Sequence, residues 1–158
     1  MNRSLSSSEI LAGMGYREIA KILDASFASV RYAKGMNNHQ GSLATSDMAT
    51  MESVARYLKQ KGLFFVDSYT VASSIGYKVA AKAGVPYAKR DVFLDNENKK
   101  EYVQKQFDRL VALAIKKGSA VGIGHMNREA TADVLLANYR KLRNQGIEFV
   151  LVRDLLVK

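Results

Sequence analysis

The chain has 158 residues, 47% hydrophobic and 25% charged, with 24 Lys and Arg against 15 Asp and Glu for a net charge of +9. That size and balance fit a single globular domain that buries its own core, and they exclude a disordered or fibrous chain. Having no cysteine excludes disulfide scaffolds, thiolate zinc sites and cysteine nucleophiles, and no apolar run approaches the roughly 18 residues of a membrane span.

The opening stretch MNRSLSSSEILAGMGY has a serine run and Glu9 where an export signal has its apolar segment, so the chain as given reads as soluble and without an address. Ser6 with Glu9 makes a capping box that opens an amphipathic helix through Ile10, Ile19, Ile22 and Leu23, weakened in its middle by Gly13 and Gly15. Ser29-Val30-Arg31-Tyr32-Ala33 predicts the first strand. Ser46 is placed to cap the next helix, with Met51, Val54, Ala55 and Leu58 on one face and Gly62 after it. Leu63-Phe64-Phe65-Val66 predicts a second, fully apolar strand, and a short helix from about Ser73 to Ala83 follows. Asp91-Val92-Phe93-Leu94 belongs to a third strand or its exit.

Asn98 with Glu101 is a further capping box, leading a helix whose stripe is Val103, Phe107, Leu110 and Ala114 and which ends at Gly118. Ala120-Val121-Gly122-Ile123 predicts a fourth strand. A helix from about Glu129 to Asn144, with Leu135, Tyr139 and Leu142 inward, precedes a fifth strand at Ile147–Val152. Strands alternating with helices define an α/β chain with a parallel sheet.

Residues 1–79 carry nine basic and six acidic side chains, and residues 80–158 carry fifteen and nine. Acids are interleaved throughout, which favours solvated helix faces over a nucleic-acid groove; an anionic polymer partner stays open.

Parallel α/β sheets bind ligands beyond the carboxyl ends of their strands. Asn37, Asn38, His39, Gly41 and Ser42 follow the first predicted strand, Asp67 and Ser68 end the second, Arg90, Asp91, Asp95 and Asn96 flank the third, and His125 follows the fourth. Both of the chain's histidines fall at this edge. Imidazole and carboxylate without thiolate is the ligand set of a catalytic zinc or a similar divalent ion, and the chemistry that suits it is amide or ester hydrolysis. A second histidine, held in its tautomer by an acid such as Asp67, would protonate the leaving amine. The plainer reading of the same residues is also open: Asp67 and Asp95 as caps of the helices that follow, Arg90–Asp91 as an ion pair, and Asn37, Asn38 and Gly41 as loop-shaping residues.

Four segments carry a family resemblance. Ala33-Lys34-Gly35-Met36-Asn37-Asn38-His39-Gln40-Gly41-Ser42 resembles the GxNNHxGS signature of the divergent polysaccharide deacetylases, a branch of the NodB-like superfamily. Phe64–Thr70 resembles their FFxDSxT segment, Arg90–Asn96 their RDVFLDN, and Ile123-Gly124-His125 their terminal IGH. The resemblance implies part of a distorted (β/α) barrel and a metal-dependent N-deacetylase-like hydrolase acting on polysaccharide or acetylated amino sugars in a periplasmic or secreted setting. It makes His39 a metal ligand and His125 a general acid or second ligand. Asp67 becomes a pocket acid, and Arg90 and Asp91 the segment bracing the catalytic carboxylate. Asn37, Asn38, Ser42, Asp95 and Asn96 are the expected substrate contacts. The divalent metal is expected to be zinc.

Family members carry an IIDD aspartate pair and a later HxPM segment ahead of the part seen here, and neither is in this sequence. The expectation is therefore a fragment or a naturally short form whose first strands are missing, with the metal weakly held or absent and self-association through an exposed sheet edge. A non-catalytic carbohydrate-binding or structural remnant of the fold is the alternative, and an anionic-polymer binder a third.

Overall fold

The computed structural model describes residues 9–157, so the Ser6 capping box lies outside the described residues. The backbone forms two compact units, Met1–Lys89 with Leu156–Lys158, and Arg90–Leu155.

In the first unit α1 (Tyr16–Ser29) is followed by β1 (Gly35–Asn37), α2 (Ser42–Ser46), α3 (Met48–Lys61), β2 (Phe64–Asp67), α4 (Gly76–Ala83) and β3 (Tyr87–Lys89). The strands are parallel in the order β1-β2-β3, with Asn37 opposite Val66 and Asp67 opposite Lys89. Val157 lies antiparallel to β3, exchanging backbone hydrogen bonds of 2.9 and 2.8 Å with Tyr87.

Two expectations shift here. The helix starts at Tyr16 because Gly13 turns left-handed (φ 84°) and the Glu18 carboxylate accepts the Gly15 N–H at 3.1 Å. It then runs through Ser29, and the expected first strand becomes a turn in which the Ala33 N–H donates to Val30 O at 3.0 Å and Tyr32 is 91% exposed. The strand lies instead at Gly35–Asn37, on the signature itself.

The cap of α3 is Asp47 and not Ser46, which ends α2: Asp47 Oδ2 accepts the Thr50 N–H at 2.8 Å and its hydroxyl at 2.6 Å. Met51, Val54, Tyr57 and Leu58 of α3 pack with Ile19 and Leu23 of α1, Phe65 of β2 and Val79 of α4. Each large apolar side chain so enclosed contributes roughly 1.5–3 kcal/mol.

The second unit holds β4 (Val92–Phe93), α5 (Lys100–Lys117), β5 (Gly122–Ile123), α6 (Glu129–Asn144) and a 3-10 turn at Val152–Leu155. β4 and β5 are parallel, Val92 opposite Gly122 and Phe93 opposite Ile123. Val92, Leu94, Val103, Phe107, Val134 and Leu142 form its core. The N-cap of α5 is Lys99, with no side-chain cap bond, so the Asn98 capping box does not form. Tyr139 stays exposed on α6.

Ile147–Val152 is not a strand. No described strand pairs with the segment, and its aromatic packs sideways instead: the Phe149 ring lies 6.3 Å from that of Phe107 and 5.2 Å from that of Tyr139. The parallel α/β class holds, but among the described residues the strands make two open sheets, of three and two strands, and no closed barrel.

Candidate functional site

Each unit places a fully buried aspartate where a parallel strand ends. Asp67 closes β2, and its oxygens accept the Tyr69 N–H (2.8 Å), the Ser74 hydroxyl (2.9 Å) and the Tyr77 N–H (3.0 Å). Tyr77 lies in the first turn of α4, so Asp67 satisfies one of that helix's otherwise unpaired donors. Gly76 keeps room for it, since a Cβ there would stand 3.0 Å from Asp67 Oδ2 and 2.8 Å from the Phe65 ring.

Beside it the signature loop is latched to β2. Asn38 Oδ1 accepts the Ser68 N–H at 2.8 Å, the Ser68 hydroxyl donates to Asn38 O at 2.6 Å, and Asn37 Nδ2 donates to Ser68 Oγ at 3.1 Å. Both asparagine amides, expected as substrate contacts, thus hold the loop. Gln40 (φ 58°) and Gly41 (φ 68°) are left-handed in succession, and Ser42 opens α2 just beyond. His39 is exposed on this loop and lines, with Met36, Phe27 and Ser42, a concavity of about 1030 Å³.

In the second unit Asp95 follows β4 and is 0% exposed. Asp95 Oδ2 accepts the His125 N–H at 2.6 Å and the Thr131 hydroxyl at 2.8 Å, and Oδ1 lies 3.0 Å from His125 Nδ1. Burial pushes this carboxyl up, but the hydrogen bonds from the His125 backbone, the Thr131 hydroxyl and the His125 ring outweigh it and leave the group below its ordinary value. An ionised Asp95 only accepts, so Nδ1 carries the proton of that bond. The ring also stands edge-on to Phe93, centroids 5.4 Å apart, and the Arg90 guanidinium lies 5.3 Å from the centre of the same Phe93 ring. A cavity of about 980 Å³ opens beside His125, bounded by Thr131, Leu94, Phe107 and Leu142.

Two placements differ from expectation. The acid that holds the histidine is Asp95, not Asp67. Asp91 lies at the amino end of β4, opposite to His125, where it accepts from Lys117 Nζ at 2.7 Å and from the Val121 N–H at 3.0 Å. Its ion pair is with Lys117, while Arg90 goes to Phe93. Asn96 is exposed and donates to the Tyr102 hydroxyl at 3.3 Å. Thr131 and Ser74, the hydroxyls that complete the two carboxylate clusters, escaped sequence reasoning: a threonine in the first turn of a helix looks like any other.

The metal expectation meets a plain limit. Among the described residues no group of three or more His, Asp or Glu side chains is close enough to hold an ion, and His39 and His125 belong to different units. The donor set described does not fit a three-ligand catalytic site.

Short parallel strands and intervening helices make this an α/β protein, with an acid-braced histidine just beyond a strand end. The chain belongs to the divergent polysaccharide deacetylase family, whose model matches residues 1–156. An uncharacterized protein of Haemophilus influenzae is 41% identical over 130 residues, which is 82% of this chain and 46% of that protein. Uncharacterized protein YibQ of Escherichia coli is 38% identical over 122 residues, 77% of this chain and 38% of its own length. The crystal structure of an uncharacterized Agrobacterium tumefaciens protein matches with a TM-score of 0.89 at 25% identity, over 96% of this chain and 61% of that one. The chain spans less than half the length of the two curated relatives. No helix among the described residues is long and apolar enough to cross a membrane.

Proposed function

We propose that the protein takes part in hydrolysing the acetamido group of an N-acetylated cell-envelope polysaccharide, with His125 as the proton donor. The observation that carries this is the His125–Asp95 pair, in a chain of the divergent polysaccharide deacetylase family. Water oxygen adds to the acetamide carbonyl carbon as one of its protons passes to bulk solvent, the C–N bond breaks, and acetic acid leaves and ionises to acetate. The amino-sugar nitrogen takes its proton from Nε2 of a protonated His125, whose other N–H stays on Asp95. Asp95 fixes the ring's orientation and balances its charge, and Phe93 limits its tilt. A divalent ion, expected as zinc on His39, needs donors beyond the residues described.

The test is acetate release from acetylated glucosamine oligomers by this chain and, in parallel, by the full-length Haemophilus relative, across several divalent ions. Release that falls by about 10²–10⁴-fold on His125→Ala supports the proton-donor role. Release indifferent to His125→Ala removes it. No release from any oligomer by either protein favours the carbohydrate-binding alternative.

A further inference from the structure

The first unit carries a second feature at its carboxyl edge that the hydrolytic chemistry does not use. Lys89 is the last residue of β3 and pairs in register with Asp67, so the two side chains leave the sheet on the same face. Asp67 is fully buried among its own donors at Tyr69, Ser74 and Tyr77. Lys89 forms no ion pair among the described residues. Its ammonium stands instead 3.7 Å from the centre of the Tyr69 ring and 4.7 Å from that of Tyr77. Tyr77 in turn lies edge-on to Tyr69 at 6.1 Å and packs beside Tyr87 at 6.4 Å.

The clamp is built at some conformational cost. Tyr69 has φ 47°, a left-handed backbone that bulky side chains rarely adopt. It is held there by the N–H bond to Asp67 and by its own hydroxyl, which donates to Ala72 O at 3.2 Å. Strain kept at the ligand-facing edge of a parallel sheet points to use. Aromatic faces attract an ammonium but offer its three N–H donors no oxygen. The rings therefore fix the charge while leaving its hydrogen-bonding capacity to a ligand.

We infer that Tyr69, Tyr77 and Lys89 form a subsite for an anionic substituent, a carboxylate or a sulfate, on the polysaccharide. The net charge of +9 agrees with such a substrate. This rests on the polysaccharide reading and narrows it to acidic N-acetylated polymers. The tyrosine rings present flat apolar surface with a polar tip, suited to a pyranose beside the bound anion.

Calorimetric titration at low salt tests it with three hexasaccharides: neutral acetylglucosamine, alternating acetylglucosamine and glucuronate, and an O-sulfated acetylglucosamine. A charged oligomer is expected to bind about fivefold more tightly than the neutral one, the size of one solvent-exposed ionic contact, and the margin should shrink at high salt. The tighter of the two names the anion. Lys89→Met should erase the margin, Lys89→Arg keep it, and Lys141→Met, on the exposed face of α6, leave it in place. Equal binding of neutral and charged oligomers, or a margin that survives Lys89→Met, overturns the inference and leaves the polysaccharide reading standing. Binding of no oligomer overturns both. Single-stranded DNA bound more tightly than every saccharide would replace the acidic sugar with a nucleic acid.

Discussion

Asp95→Asn changes one atom and tests the core of the site. The carboxylate now meets three donors, with His125 N–H and the Thr131 hydroxyl on Oδ2 and the His125 ring on Oδ1. An asparagine that keeps its oxygen in the Oδ2 position must turn its NH₂ toward Nδ1. That bond survives only if Nδ1 gives up its proton and Nε2 takes it. A hydrogen bond to a charged group contributes about 1 kcal/mol more than a neutral one, so three weakened bonds cost about 2–3 kcal/mol in all. The loss is a sizeable part of a typical domain's stability. Because the folded Asp95 carboxyl lies below its ordinary value, its contribution is complete above the unfolded value of about 3.9 and disappears as pH falls through the folded one. Urea unfolding from pH 7 to pH 2.5 should show a gap between wild type and variant that closes in acid. Nitrogen NMR of the ring, with His39 as internal control, should show the proton moved from Nδ1 to Nε2. A variant as stable as wild type at pH 7, or a gap that ignores pH, would refute the account of Asp95.

Gly124→Ala should cost about 1–3 kcal/mol, because the new Cβ would stand 3.0 Å from Thr131 Cγ2 and 3.2 Å from Asp95 Oδ2; denaturant midpoints give the value, and the ring-nitrogen spectrum of His125 should change with it. Burial, with the hydrogen bond to Asp24, pushes the Tyr57 phenol up to about 12. Ultraviolet titration should therefore show a late phase that Tyr57→Phe removes, and that part of the stability should be full below about pH 10 and lost as pH rises through 12. Zinc should bind the isolated chain only weakly, since a site short of ligands stays open; tight, saturable binding that survives His39→Ala would show the ligand to be elsewhere.

The long amphipathic helices were legible because Val103, Phe107 and Leu110 in α5, or Met51, Val54 and Leu58 in α3, repeat at helical spacing and end at Gly118 and Gly62. β1 was not. Gly35-Met36-Asn37 has poor strand propensity and is a strand only because Phe64–Val66 pairs with it. Val30 and Tyr32, good strand formers, pair with no strand among the described residues and sit in a turn. The strand-end rule found both aspartates and both histidines, yet it could not tell which acid serves His125. Phe65-Val66-Asp67 and Phe93-Leu94-Asp95 look alike along the chain, and only the parallel pairing of β4 with β5 brings Asp95 to the histidine.

The two buried carboxylates also differ in when they can be enclosed. The partners of Asp67 lie two, seven and ten residues downstream, whereas those of Asp95 lie 30 and 36 residues away. Closing the longer loop costs about 1 kcal/mol more in chain entropy than closing the ten-residue one. It must also wait for α5 and β5 to be laid down between. A growing chain can finish the signature loop and its aspartate while the second half is still being made. The histidine acquires its brace only after β5 has emerged and paired with β4, and Thr131 completes the cluster later still. Folding order thus delays the histidine: an incomplete chain can be well capped around Asp67 while the His125–Asp95 pair does not yet exist.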